Sequence, residues 1–123
     1  MADPAEGDVE RFFEGCPLGR DAYRTVLVFL RGLGEVEVRI TKSQVAFRRR
    51  KGFAWLWLPG RWLRDPGADV VLSIALGEAD PSPRFKQVVH PAPTVWMHHL
   101  ELHALEDLDD EVEGWLGRAF ERA

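Results

Sequence analysis

The stretch from Glu37 to Leu58 constrains the fold of this chain more than any other part of the sequence. Two runs of apolar, aromatic and β-branched residues flank a basic turn, which reads Arg48-Arg49-Arg50-Lys51-Gly52. This arrangement is typical of two antiparallel strands joined by a short loop that contains glycine. The stretch therefore predicts a hairpin with a strongly basic tip and with aromatic residues along its second strand.

The first run of this stretch changes the phase of its apolar alternation. Val38 and Ile40 occupy even positions, whereas the next apolar pair, Val45 and Phe47, occupies odd positions. A shift by one residue moves side chains to the opposite face of a sheet. We therefore expect a β-bulge or a tight bend within Thr41-Lys42-Ser43.

Periodicity elsewhere predicts helices at both ends of the chain and strands between them. The segment from Arg84 to His90 fits either a short edge strand or a helical turn. The order predicts an α+β domain with a single, mostly antiparallel sheet of about four or five strands. The N- and C-terminal helices pack on one face, and the other face is open to solvent or to a partner. We expect one domain over residues 1–123, with residues 1–8 frayed. The predicted elements are a short helix ended by Gly15, a helix that starts near Pro17 to Asp21 and is stopped by Gly32 and Gly34, strands at 36–47, 53–58, 70–76 and 95–103, and a closing helix at 108–120 capped by Asp107 or Asp109.

Composition indicates an ordinary soluble protein, with 46% apolar and 29% charged residues. The single cysteine, Cys16, cannot form an internal disulfide, which favours a reducing compartment. The first residues carry neither a basic nor an apolar segment of a signal peptide. The longest apolar run, Ala54 to Leu58, is too short to cross a bilayer. We therefore expect a cytoplasmic protein without membrane association, and the sequence suggests no cofactor.

The net charge of −4 is unevenly distributed along the chain. The region from Val36 to Asp65 holds eight Lys or Arg residues and two acidic ones, whereas the region from Glu101 to the end holds eight acidic residues and two arginines. One interpretation is that the two regions are solvated faces that attract each other in the folded chain. The other is that a sheet faces an anion while an acidic helix lies on its far side.

A strand rich in histidine is the first candidate for chemistry. His98 and His99 fall on opposite faces of the strand, and Glu101 and His103 share the face of His99. Residues two apart on a strand are about 7 Å apart and residues four apart about 13 Å, so these three side chains cannot hold one ion together. Only a pair such as His99 with Glu101 could bind a metal, with a third ligand, such as His90, from elsewhere. The alternative is that the histidines pack against aromatic rings and bond across the sheet.

A basic group interleaved with aromatic residues is the second candidate. Cationic side chains beside exposed aromatic rings suit single-stranded nucleic acid, through phosphate contacts and base stacking. Lys42 and Ser43, if they lie at a bulge, could also hold a phosphate with nearby backbone N–H groups. The alternative is a hairpin tip kept soluble by arginines, with the tryptophans buried in the core. The basic residues concerned are Lys42, Arg48, Arg49, Arg50, Lys51, Arg84 and Lys86.

Motifs of common enzymes are absent from the sequence. The chain contains no G-x-G-x-x-G, G-x-x-x-x-G-K-[ST], G-x-S-x-G or H-E-x-x-H. The spacing pairs none of Ser43, Ser73 and Ser82 with a base. Cys16 near a helix start is interpreted as structural.

The segment Thr41-Lys42-Ser43-Gln44-Val45-Ala46-Phe47, followed by Phe53-Ala54-Trp55, resembles a bacterial, actinobacterial-type family of small uncharacterised domains. Its members share a T-K-S-x-[IV]-[AS]-[FY] strand, an aromatic strand after a basic turn, and a late H-x-E-[LV] strand before a closing helix. The late strand corresponds here to His99-Leu100-Glu101-Leu102, and the resemblance extends from about Val9 to Ala123. The family has no established activity. Some relatives are similar to the C-terminal parts of longer proteins linked to restriction or DNA-associated modules, which favours nucleic acid by analogy.

The sequence leads to one main functional hypothesis and two alternatives. The main hypothesis is a non-catalytic binding module whose basic surface accepts an anion, such as a phosphorylated small molecule, a nucleic acid or an acidic partner. The first alternative is a small hydrolase or metal-dependent enzyme that uses His99 and Glu101 with Lys42. The second is a structural module that binds another protein, or a second copy of itself, through its sheet face. The predicted anion-binding residues are Lys42, Ser43, Arg48, Arg50, Arg84, Lys86 and His99.

Overall fold

A computed structural model describes residues 3–123 and has three α-helices and one six-stranded antiparallel sheet. The order of strands across the sheet is β1-β2-β3-β4-β6-β5. The α+β class is therefore confirmed. The elements are α1 (Glu6–Phe12), α2 (Pro17–Leu33), β1 (Glu37–Ile40), β2 (Val45–Arg48), β3 (Gly52–Trp57), β4 (Val70–Leu76), β5 (Phe85–Ala92), β6 (Val95–Leu102) and α3 (Asp110–Arg122).

The prediction of four or five strands was wrong because the chain reverses at Thr41 and because residues 85–92 form a full strand. The Thr41 N–H donates to the Gln44 carbonyl oxygen at 2.9 Å, and Thr41 Oγ1 accepts the N–H of Gln44 at 3.2 Å. The phase change is therefore a tight bend between β1 and β2, with Val38 opposite Phe47. A register shift of the kind that a β-bulge produces lies between Phe47 and Arg48, where β2 pairs with β3.

One face of the sheet forms the core together with the helices. The apolar stripes of α2 and α3 pack on a row that runs in register across five strands of the sheet, and burying such side chains is the main stabilising term. The closing helix begins as its sequence predicts, because Asp109 Oδ1 accepts the N–H of Val112 at 3.2 Å. The row on this face consists of Val38, Phe47, Ala54, Ile74 and His98.

Arginines of the basic tip lie at the C-terminal end of α3. Arg49 Nη1 donates to the Phe120 carbonyl oxygen at 3.0 Å, and Arg50 Nε donates to the Ala123 carbonyl oxygen at 3.2 Å. The Arg49 guanidinium also lies 4.3 Å from the centre of the Phe120 ring. Cations are favourable at the negative end of a helix dipole. The basic hairpin tip therefore contacts the C-terminal end of α3 through carbonyl oxygens and the Phe120 ring.

The first helix begins earlier in the chain than the sequence suggests. Helix α1 begins at Glu6, within the segment predicted to be frayed, and Met1 and Ala2 lie outside the described residues. Within the described part, no helix has the length and apolar character needed to cross a membrane.

Candidate binding groove on the open face of the sheet

The face opposite the helices carries a second row in register across all six strands. Its side chains point away from α2 and α3 because neighbouring residues of a strand alternate between faces. Trp57 and Glu101 lie on this same face, because both pair with Val71 of β4 in the register of the sheet. The row consists of Arg39, Ala46, Trp55, Ser73, His99 and Gln87.

A groove of about 400 Å³ opens over this row. Its size lies within the range of small-molecule binding sites. Trp62 is 51% exposed and comes from the segment that follows a 3-10 turn at Pro59–Arg61, so one wall belongs to a loop. The Trp55 ring lies over Gly52, where a Cβ atom would meet it at 2.8 Å. The groove is lined by Ser43, Gln44, Trp55, Trp57, Trp62, Ser73, Met97 and His99.

Three polar groups form a chain of hydrogen bonds along the floor of the groove. Trp57 Nε1–H donates to Ser73 Oγ at 2.9 Å, and Ser73 Oγ lies 2.7 Å from His99 Nδ1. Ser73 is only 4% exposed. Since an indole N–H can only donate, Ser73 Oγ accepts from Trp57. Among residues 3–123, His99 Nδ1 is the one acceptor found for the Ser73 hydroxyl proton, so we assign Ser73 as the donor to Nδ1. A neutral His99 therefore carries its proton on Nε2, where it is a hydrogen-bond donor.

The environment of His99 favours this neutral form. Burial, and then the neighbouring His98, lower the pKa of His99 below its ordinary value. The Trp57 ring stands edge-on to the imidazole, with 6.2 Å between the ring centres. The groove is therefore aromatic and uncharged at its floor near neutral pH.

We expect the stability of the protein to fall as the pH drops below about 6.5, because the unfolded chain then binds a proton that folded His99 resists. The loss continues until the pH reaches the lower pKa of the folded state. Urea unfolding at pH 7.5 and at pH 5.5 measures it, and His99→Gln should reduce the difference between the two values. An unchanged difference in His99→Gln would contradict the environment described for His99.

His98 faces the opposite side of the sheet, as the alternation predicts. It is fully buried, Nδ1 donates to the Trp96 carbonyl oxygen at 2.9 Å, and Nε2 accepts the N–H of Asp80 at 2.9 Å. The Phe85 ring lies 4.7 Å from its ring centre. Both nitrogens are satisfied within the core, so the role of His98 is structural.

The remaining acidic and histidine side chains of β6 do not gather around His99. Glu101 Oε1 lies 3.9 Å from His103 Nε2. The Glu101 carboxylate packs against Gly67, where any Cβ atom would collide with it. Among residues 3–123, no three His, Cys, Asp or Glu side chains are arranged to hold a metal ion. A metal site at His99 and Glu101 would therefore lack a third ligand of these types from the described chain.

The predicted anion-binding residues lie in several places rather than on one surface. Lys42 and Ser43 lie in the β1–β2 turn, and Ser43 lines the groove. Arg48 Nε is 3.6 Å from Glu37 Oε1, and Lys86 is exposed on the edge strand β5. The anion-binding role of these residues stays a prediction.

Arg84 is held by the N-terminal end of α3. Its Nη1 contacts Asp109 Oδ1 at 3.0 Å and Glu111 Oε1 at 2.9 Å, while Nη2 donates to the Asp107 carbonyl oxygen at 2.9 Å. The Arg84 guanidinium is the main reason that the pKa of Asp109 is lowered. Arg84 therefore joins the start of β5 to the start of α3.

Replacing Arg84 by methionine should lower the free energy of unfolding by about 1–2 kcal/mol, because its charge-assisted hydrogen bonds to three residues are lost at a partly solvated site. Urea denaturation measures the change. Lys86→Met is the matched control, since Lys86 lies two residues away and is exposed. Equal effects of the two substitutions would show that the Arg84 cluster adds nothing to stability.

Four lining residues were not among the predicted candidates: Gln44, Trp62, Ser73 and Met97. Spacing along the chain revealed no base for Ser73, because its partner lies 26 residues away on a neighbouring strand. A signal existed, since Ser73 is the one polar residue in the seven-residue strand V-V-L-S-I-A-L, all of which is buried. Trp62 follows the turn at Pro59-Gly60, and nothing local shows which face that turn approaches.

The fold and the groove define an α+β domain with a single antiparallel sheet that is covered by helices on one face. The chain belongs to the family described as a domain of unknown function, DUF5655, whose match covers residues 11–123. Comparison with curated proteins and with solved structures gives no match.

Proposed function

We propose that this chain is a non-catalytic binding module that takes a nucleotide unit of single-stranded nucleic acid on the open face of its sheet. The observation that carries this proposal is the groove in which Trp55, Trp57 and Trp62 surround the hydrogen-bonded pair of Ser73 and His99. Aromatic walls around a small uncharged polar floor suit a planar base. A free metal ion would leave these walls unused.

Stacking supplies most of the expected affinity. Stacking between a base and an aromatic side chain is worth about 1–3 kcal/mol per base and tolerates any sequence, because every base has a π-face. Trp62 is the most exposed of the three rings and stands on a loop. It is therefore the ring best able to cover a base from the solvent side.

Lys42 and Ser43 are the best candidates for the phosphate contact. Ser43 lines the groove, and Lys42 precedes it in the same turn. None of the ion pairs found in residues 3–123 includes Lys42, whereas Arg48 and Arg84 each lie close to carboxylates. Lys42 itself lines a neighbouring cleft rather than the groove. A phosphate that extends past Ser43 would reach this cation without breaking an existing ion pair.

A hydrolase that uses Ser73 as nucleophile is the second candidate, favoured by the 2.7 Å distance between Ser73 Oγ and His99 Nδ1. Two observations count against it. Ser73 is nearly inaccessible, and its oxygen already accepts the Trp57 N–H. This geometry suits a Ser73 hydroxyl that donates a hydrogen bond to His99 better than one whose oxygen attacks a substrate. Turnover of model esters that is lost in Ser73→Ala would favour the hydrolase.

Fluorescence anisotropy with a labelled single-stranded 12-mer at low salt tests the binding proposal. Trp62→Ala should weaken binding about tenfold through lost stacking. Lys42→Gln should reduce the slope of log affinity against log salt by roughly 0.7, the value for one lost phosphate contact. The control is Val28→Ala, since Val28 is 75% exposed and lies on α2, behind the helix-covered face of the sheet.

Equal affinities in Trp62→Ala and Val28→Ala would overturn the proposal. If Trp62→Ala instead dissociates a dimer in size-exclusion chromatography, the open face is an interface between two copies of the chain.

A further inference from the structure

The floor of the groove presents one hydrogen-bond donor with a fixed direction. Ser73 holds His99 Nδ1 as an acceptor, and Ser73 is itself fixed by the Trp57 N–H. The opposite nitrogen, Nε2, therefore carries the proton. No hydrogen-bond partner for Nε2 lies among residues 3–123, so this N–H is free for a ligand.

A base in this groove would enter with the edge farthest from its sugar. Of the phosphate candidates, Ser43 lines the groove from the exposed β1–β2 turn and Lys42 lines the neighbouring cleft, whereas the nearly inaccessible Ser73 marks the floor. The sugar and phosphate therefore stay at the rim, and the far edge of the base meets His99. In thymine and uracil this edge has a keto oxygen at position 4, whereas in cytosine the same position has an amino group.

We propose that His99, positioned through Ser73 and Trp57, makes the groove selective for keto bases, thymine or uracil, over the amino base cytosine. This inference rests on the proposed function, because it assumes that a nucleotide occupies the groove. A keto oxygen accepts the Nε2–H, whereas an amino group places a donor against a donor and leaves both unpaired.

A second lining residue complements this arrangement. Gln44 has a side-chain amide that can both donate and accept, and it makes no hydrogen bond through that amide within the described residues. Thymine offers an N3–H donor next to the position-4 oxygen and a second keto oxygen, at position 2, on the other side of N3, and an amide matches the N3–H and the second oxygen. His99 thus sets the preference for a keto oxygen at position 4, and the Gln44 amide can bond to the neighbouring groups of the base.

Binding of oligothymidylate and oligocytidylate of equal length at pH 7.5 tests the inference. The wild-type protein should bind the thymidylate about tenfold tighter, the discrimination expected of one good base contact. His99→Phe should retain stacking and reduce the ratio to about one. His103→Phe, an exposed histidine beyond the end of β6, should keep the wild-type ratio.

Ser73→Ala provides a variant that leaves the His99 ring in place. Without the serine proton the imidazole can carry its proton on Nδ1, so Nε2 can accept from an amino group and the ratio should fall. Nitrogen-15 spectra of His99 report the tautomer directly, with Nε2 protonated in the wild type and a mixture in Ser73→Ala.

The possible outcomes distinguish base selectivity from nucleotide binding itself, on which the selectivity rests. A tenfold preference that is lost in His99→Phe and kept in His103→Phe supports the inference. Tight binding of both oligonucleotides with equal affinity overturns base selection and leaves the binding module in place. No binding of either oligonucleotide overturns both. A proton on Nδ1 of wild-type His99 overturns the positioning role of Ser73.

Discussion

Replacing Trp115 by alanine is expected to lower the free energy of unfolding by about 4 kcal/mol. Trp115 is 5% exposed, and its ring centre lies 4.4 Å from that of Phe85. Its indole N–H donates to Asp80 Oδ2 at 3.1 Å. Alanine would leave a large cavity between α3 and the sheet and would remove the donor of a partly buried carboxylate.

Urea denaturation of Trp115→Phe separates the contribution of ring packing from that of the hydrogen bond to Asp80. Phenylalanine keeps most of the ring contact and removes the hydrogen bond to Asp80 together with a small part of the packing, so we expect a loss of about 1–2 kcal/mol. Arg118 Nη1, 3.6 Å from Asp80 Oδ2, can partly compensate for the carboxylate. A loss in Trp115→Phe equal to that in Trp115→Ala would contradict the assignment of most of the energy to packing.

Replacing His98 by leucine is expected to cost about 2–3 kcal/mol, although leucine is apolar and of similar size. The core site of His98 provides one partner for each ring nitrogen, the Asp80 N–H and the Trp96 carbonyl oxygen. Leucine would leave both backbone groups buried and unpaired. Urea denaturation measures this loss as well.

His103→Leu serves as the control for His98→Leu, because His103 is exposed on the neighbouring segment. Surface substitutions of this kind usually change stability by less than about 0.5 kcal/mol. A loss below about 1 kcal/mol in His98→Leu would contradict the structural role of His98. Because Trp115 and His98 both bond to Asp80, the effects of Trp115→Phe and His98→Leu should not be additive.

Alternation along single strands was enough to predict the two faces of the sheet. The opposite orientation of His98 and His99 followed from the period of two, and the change of phase indicated a bulge or a tight bend near Thr41, of which the tight bend is present. The number of strands did not follow, because the same phase change fits a bulge or a hairpin. Only the pairing of Val38 with Phe47 distinguishes these two structures.

The site could be predicted only in part, because its chemistry depends on pairing between strands. Charge alone pointed to the arginines, but Arg49, Arg50 and Arg84 contact carbonyls or carboxylates at the two ends of α3. Whether a cation is free or already paired depends on tertiary contacts. The bond between Ser73 and His99 likewise arises only because β4 and β6 are neighbours in the sheet.

A nuclear magnetic resonance titration shows directly whether the ligand binds in the groove of the open face. Oligothymidylate would be added to nitrogen-15-labelled protein, and the indole N–H signals of the five tryptophans would be followed. We predict that the signals of Trp55, Trp57 and Trp62 shift with a single saturating curve. The signal of Trp115, on the opposite face, should not move. Shifts confined to other regions, or no shifts at all, would contradict binding of the oligonucleotide in the groove.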